Sequence, residues 1–123
     1  MKQKVGFIFA DEMEFQPFSE IALENGGSWL SKRPMNTIRY ETDNAEIIAV
    51  ECGIGKVNAA FAATVLILDH QVDCVLNAGL SGAIQHLAKG NVVAGTSYVE
   101  CDFDLTVFGY PVGEKPGGVR YHE

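Results

Sequence analysis

The sequence predicts an α/β fold, a three-layer αβα arrangement with a central mixed sheet. Three observations carry that expectation. Val5-Gly6-Phe7-Ile8-Phe9-Ala10 and Val72-Asp73-Cys74-Val75-Leu76-Asn77-Ala78 are short, largely apolar runs of the kind that forms strands buried on both faces. Apolar residues at helical spacing lie between such runs, and glycine-rich turns mark the boundaries.

In order, the first strand runs into an acidic turn, Asp11-Glu12-Met13-Glu14. Phe15, Phe18, Ile21, Ala22 and Leu23 then recur at helical spacing until Asn25-Gly26-Gly27 stops the helix. Trp29 to Arg33 and Thr37 to Thr42 read as strands separated by Pro34, and Asp43-Asn44 is a turn before the strand Glu46 to Glu51. Together these form an antiparallel excursion that returns to the core. After Gly53-Ile54-Gly55, the Ala-rich stretch Val57 to Leu68 is a helix that leads to the strand Val72 to Ala78. A strand, helix and strand in this order imply a right-handed parallel crossover.

Gly79-Leu80-Ser81-Gly82 follows, then a connector through His86 to Gly90 and an expected strand from Asn91 to about Cys101. Beyond Asp102 the chain is rich in glycine and proline. About two substantial helices are too few to cover both faces of such a sheet. The domain therefore reads as truncated, with an exposed strand edge and apolar face expected to drive oligomerisation or exchange of elements.

Composition narrows the function. The chain has 123 residues, 47% hydrophobic and 20% charged, the balance of one globular domain or part of one. A formal charge of −7, with basic residues scattered, opposes nucleic acid as a partner. No apolar stretch approaches the roughly 20 residues that span a bilayer. The run after Lys2 and Lys4 is too short for a signal-peptide core, so the expected location is the cytoplasm, with no membrane segment. Cys52, Cys74 and Cys101 are far apart without CxxC spacing, which disfavours a zinc site and a disulfide framework. His70, His86 and His122 show neither ligand spacing nor a triad pattern and read as surface or packing residues.

Several segments admit two readings. Cys52-Gly53-Ile54-Gly55-Lys56-Val57 resembles a nucleotide loop, yet Val50 and Val57 break the P-loop pattern and Asn58 breaks the dinucleotide one. A tight strand-to-helix turn is the simpler reading. Asn77-Ala78-Gly79-Leu80-Ser81-Gly82 is either a structural turn or part of a ligand crevice at a strand's carboxyl end. Asp11, Glu12 and Glu14 are either a solvated first helical turn, favoured by the helix dipole, or site residues on the same sheet edge. Phe103, Phe108 and Tyr110 suit a core, an interface or a pocket lid.

Four stretches in this order, Val5 to Glu14, Cys52 to Ala60 (with GIGKVNAA), Asn77 to Gly82 and Asp102 to Tyr110 (with DLTVFGY), make the chain similar to the 5′-methylthioadenosine/S-adenosylhomocysteine nucleosidases. These enzymes belong to the wider purine nucleoside phosphorylase superfamily. The resemblance covers nearly all of residues 1–123 but only the amino-terminal half of one nucleoside phosphorylase-type domain. It implies the phosphorylase/hydrolase-like version of the fold. It also implies hydrolysis of an N-glycosidic bond through a ribosyl cation-like transition state, releasing adenine, with no metal and no organic cofactor.

By that resemblance Glu14 is the catalytic carboxylate that orients and deprotonates water. Ile54 lines the nucleoside pocket, and Leu80, Ser81 and Gly82 form the loop beside the ribose and the water. Phe108 and Pro116 reach into a neighbouring subunit's 5′-alkylthio pocket, which implies a homodimer or higher homo-oligomer. The implied ligand is a small nucleoside.

Departures from the family pattern qualify this. Leu80 stands where a serine is common, so a polar contact is missing or shifted to Ser81. Val99-Glu100-Cys101-Asp102 replaces an Arg-Tyr-His-Asp type run, and the lost arginine weakens any anion site and argues against phosphorolysis. No residue here corresponds to the family's Met-Glu pair that holds the ribose hydroxyls, or to the aspartate that helps protonate the purine. The resemblance therefore leaves open another purine nucleoside phosphorylase or hydrolase activity, and a non-catalytic oligomerising or ligand-binding remnant.

Overall fold

The amino-terminal apolar run forms β1 (Gln3–Phe9), an interior strand of a five-stranded sheet in a computed structural model that describes residues 2–100, 102–114 and 116–117. It lies between β4 (Ala45–Glu51) and β5 (Cys74–Asn77) and runs parallel to both. β2 (Ser28–Ser31) and β3 (Asn36–Glu41) make the antiparallel excursion, giving the order β2-β3-β4-β1-β5. The sheet is therefore mixed, with its parallel part at β4, β1 and β5.

Two helices cover it on opposite faces, because successive strand side chains alternate. Phe7 and Phe9 of β1, with Ile38 and Ala49, pack against Phe15, Phe18 and Ala22 of α1 (Glu12–Glu24). Ile8 of β1, with Ile48 and Val50 of β4, packs against Ala62 and Leu66 of α2 (Lys56–Leu68). The three-layer αβα architecture follows from this period of two along β1 and β4. Ile38, Ile48, Val50 and Leu66 are the largest fully buried side chains. Burying each is worth roughly 1.5–3 kcal/mol.

Gly6 brings α2 close to β1. A Cβ at that position would sit 3.0 Å from Leu66 Cδ1 and 3.3 Å from Val72 Cγ2, so any side chain there would force these two to give way. Helix α2 joins β4 to β5 and passes over β1, the expected crossover between parallel strands. Helix α1 stops as the Asn25-Gly26-Gly27 signal predicts. Gly26 takes φ +89°, and the Gly27 N–H donates to the Ala22 carbonyl at 2.7 Å.

The chain divides into two compact units, Met1–Gly82 and Ala83–Glu123. The first holds the whole sheet. In the second, the DLTVFGY run forms a 3-10 turn over Thr106–Phe108. The Thr106 N–H donates to Asp104 Oδ1 at 2.8 Å, and the bonds from Thr106 hold the Asp104 carboxyl below its ordinary range.

One expectation fails here. Asn91 to Glu100 forms no strand, and Cys101 lies outside the described residues, as does His122. A strand needs a ladder partner, and none pairs with this segment among the described residues. Val92 is 98% exposed, so its apolar composition signals no burial in this chain. Among the described residues, no helix is long and apolar enough to cross a membrane.

Candidate active site

Because β1, β4 and β5 are parallel, their carboxyl ends meet at one edge of the sheet, where open α/β sheets form ligand crevices. Backbone bonds draw the three exits together. The Cys52 N–H donates to the Phe9 carbonyl at 2.9 Å, and the Ala78 N–H donates to the Ile8 carbonyl at 2.9 Å. Residues 10–14, 52–55 and 78–82 thus leave the sheet side by side.

Asp11 sets the direction of the first of these segments. It is the N-cap of α1 in extended conformation (φ −146°, ψ 173°), and its Oδ1 accepts the Glu14 N–H at 3.0 Å. That places Glu14 in the first turn, with its side chain folded back over the helix start. Glu14 Oε2 accepts the Ala10 N–H at 3.3 Å, and Oε1 accepts the Leu80 N–H at 2.9 Å. The arrangement is close to a capping box, with the carboxylate reaching one residue beyond the cap. Each oxygen takes one amide, and each keeps a lone pair for a further donor such as water.

The second segment turns tightly. Gly53 and Gly55 take φ +86° and +110°, values open to glycine, which accords with a strand-to-helix turn. Asn58 Nδ2 donates to the Ile54 carbonyl at 2.9 Å and closes the loop, leaving the Ile54 side chain 76% exposed. Burial pushes the Cys52 thiol above its ordinary pKa. A backbone hydrogen bond partly offsets this, and the carboxylate charges of Glu14 and Glu51 push it further up. Cys52 is therefore held as a thiol and is a poor nucleophile.

The residues singled out in the sequence separate into two groups. Glu14, Ile54, Leu80, Ser81 and Gly82 all lie at this one sheet edge, in the first unit. Phe108, 74% exposed in its 3-10 turn, and exposed Pro116 belong to the second unit. Position 80 contributes through its backbone: its N–H holds Glu14 whatever side chain it carries, while the Leu80 side chain is 89% exposed. The sequence leaves Asp11 open between a solvated first-turn residue and a site residue, and it gives no expectation for the Ala10 amide. The Asp11-x-x-Glu14 spacing ahead of an apolar helix is the signal that points to them. Among the described residues, no three His, Cys, Asp or Glu side chains converge to hold a metal ion.

Comparison with known proteins agrees with this architecture. A nucleosidase for 5′-methylthioadenosine and S-adenosylhomocysteine from Staphylococcus carnosus is 44% identical over 75 residues, 60% of this chain and 33% of its own length. The Bacillus subtilis nucleosidase is 41% identical over 78 residues, 63% of this chain and 34% of its own.

Among solved structures, the Colwellia psychrerythraea nucleosidase in complex with adenine superposes with a TM-score of 0.84 at 32% identity, covering 97% of this chain and 49% of that one. Futalosine hydrolase of Helicobacter pylori superposes with a TM-score of 0.81 at 28% identity, covering 94% and 50%. The chain thus spans about half the length of these solved relatives. The family model for the phosphorylase superfamily matches residues 4–123. With that match across almost the whole chain, and with the αβα sheet it shares with these structures, the chain belongs to the phosphorylase superfamily.

Proposed function

We propose that this chain carries the water-activating part of a nucleosidase site, hydrolysing the N-glycosidic bond of 5′-methylthioadenosine or S-adenosylhomocysteine to release adenine. The observation that carries the reading is the Glu14 carboxylate, fixed by the Ala10 and Leu80 amides at the carboxyl edge of the parallel strands. A carboxylate held in this way accepts a proton without first having to find its orientation. Water bonded to it attacks the anomeric carbon as the bond to the purine breaks. The water proton passes to Glu14, the bonding electron pair leaves with the purine, and the purine takes its proton from solvent.

Ile54 and the Leu80-Ser81-Gly82 loop lie at the same edge, where they would bound the sugar and the water. Residues 1–123 then form the amino-terminal part of a single nucleoside phosphorylase-type domain. Phe108 and Pro116 are proposed to meet a second subunit in a homodimer, and the exposure of both supports that role. The proposed setting is nucleoside catabolism in the cytoplasm.

The test is adenine release from 5′-methylthioadenosine in phosphate-free buffer, with Glu14→Gln alongside. Activity that the substitution abolishes supports the reading, and a fully active Glu14→Gln variant removes Glu14 from the mechanism. A folded wild-type chain that releases no adenine would assign it a binding rather than a catalytic role. A second reading, hydrolysis of a different purine nucleoside, is favoured by the likeness to futalosine hydrolase. Release of purine from other 6-substituted nucleosides but not from 5′-methylthioadenosine would select it.

A further inference from the structure

We infer that Gly79 is a positioning residue for the Glu14 carboxylate: the missing side chain at 79 is the space in which the carboxylate lies. A Cβ built on Gly79 would fall 2.7 Å from Glu14 Oε1, 2.8 Å from Oε2 and 2.9 Å from the carboxyl carbon. No real Cβ lies so close to such atoms. The backbone does not demand glycine here, because Gly79 is absent from the positive-φ residues, unlike Gly53 and Gly55. An L-residue at 79 therefore has an accessible backbone conformation but collides with the tip of one flexible side chain.

The consequence is local. With a methyl group at 79, the Glu14 side chain has to swing away, and it loses the Leu80 N–H that holds Oε1 at 2.9 Å. The Asp11 half of the helix cap is unaffected, since Asp11 bonds the Glu14 backbone rather than its side chain. Gly79→Ala thus separates the position of the carboxylate from the formation of the helix. The catalytic part of this inference rests on Glu14 being the general base; the structural part does not.

Amide NMR on the 123-residue chain tests the structural part without any substrate. In the wild type, the Ala10 and Leu80 amide protons should follow the Glu14 carboxyl titration, and Glu14→Gln should abolish that response. In Gly79→Ala the Leu80 amide should no longer follow it. An unchanged Leu80 titration in Gly79→Ala would overturn the inference, as would a wild-type Leu80 amide that ignores Glu14.

Thermal midpoints supply a second reading if Gly79→Ala folds poorly. The loss caused by Gly79→Ala should vanish in a Glu14→Ala background, where nothing occupies the space. An equal loss in both backgrounds would mean that the methyl group meets something other than Glu14. In the adenine-release assay, Gly79→Ala should lower kcat by ~10²-fold with KM little changed, the scale of a misplaced catalytic group. A fully active Glu14→Gln variant would sink the general-base reading while leaving the Gly79 result to the amide titrations.

Discussion

The Leu80 N–H donates to Glu14 Oε1 at 2.9 Å, joining the exit of β5 to the first turn of α1 across 66 residues of sequence. It ties the carboxylate to the sheet as well as to its own helix. The reach of the side chain therefore decides where the carboxylate sits.

Shortening that reach should be costly even with the charge retained. Glu14→Asp withdraws the carboxylate by one methylene from the Leu80 amide. We expect a fall in kcat of ~10²-fold with an unchanged circular dichroism spectrum. Steady-state adenine release checks this, and wild-type turnover from the aspartate variant would show that the bond to Leu80 is unnecessary.

Removing the cap should act on stability. Asp11→Ala deletes the acceptor for the Glu14 N–H and should cost about 1 kcal/mol, while Asp11→Asn should keep most of it. Urea denaturation measures both variants. Equal midpoints for Asp11→Ala and wild type would mean that the cap contributes nothing to holding α1.

The α2 face of the sheet depends on Leu66, which is fully buried beside Ile8, Ile48 and Val50. Leu66→Ala removes that filling and should destabilise the chain by ~2–5 kcal/mol, the range for a large-to-small change in a close-packed core. A loss below ~1 kcal/mol, outside that range, would show that α2 collapses into the gap.

Cys52 gives the chain a pH signature on the alkaline side. Its folded pKa lies above the ordinary thiol value, with burial as the first cause. The folded state therefore keeps its proton when the unfolded thiol has begun to lose it. The contribution is fully present below the unfolded pKa and is lost as pH rises through the folded one. Cys52→Ala should flatten the decline in stability at alkaline pH. At pH 8 the Cys52 peptide should be alkylated by iodoacetamide more slowly than free glutathione, followed by mass spectrometry. A faster reaction would contradict a raised pKa.

The elements around the site were legible for different reasons. β1 showed itself because its part covered on both faces, Val5 to Phe9, carries no polar residue, and α1 because Phe15, Phe18 and Ala22 must all meet the same face of the sheet. The stretch from Asn91 misled because apolar composition alone cannot supply a pairing partner, and Val92 remains almost fully exposed. Glu14 could be picked out from its place after β1 and from the resemblance of the surrounding motif. Asp11 was readable in principle from its spacing to Glu14, since a cap is a local bond between residues three apart.

The sequence by itself determined the local conformations: the two helices, the glycine turn at Gly53 and Gly55, and the family to which its motifs point. Each depends on residues close along the chain, where periodicity and backbone freedom act directly. Only the tertiary structure decided that residue 80 serves Glu14 through its amide, and that Gly79 is empty because a carboxylate occupies its space. Those relationships join segments that meet only when β1 and β5 pair. No local propensity encodes a contact between them.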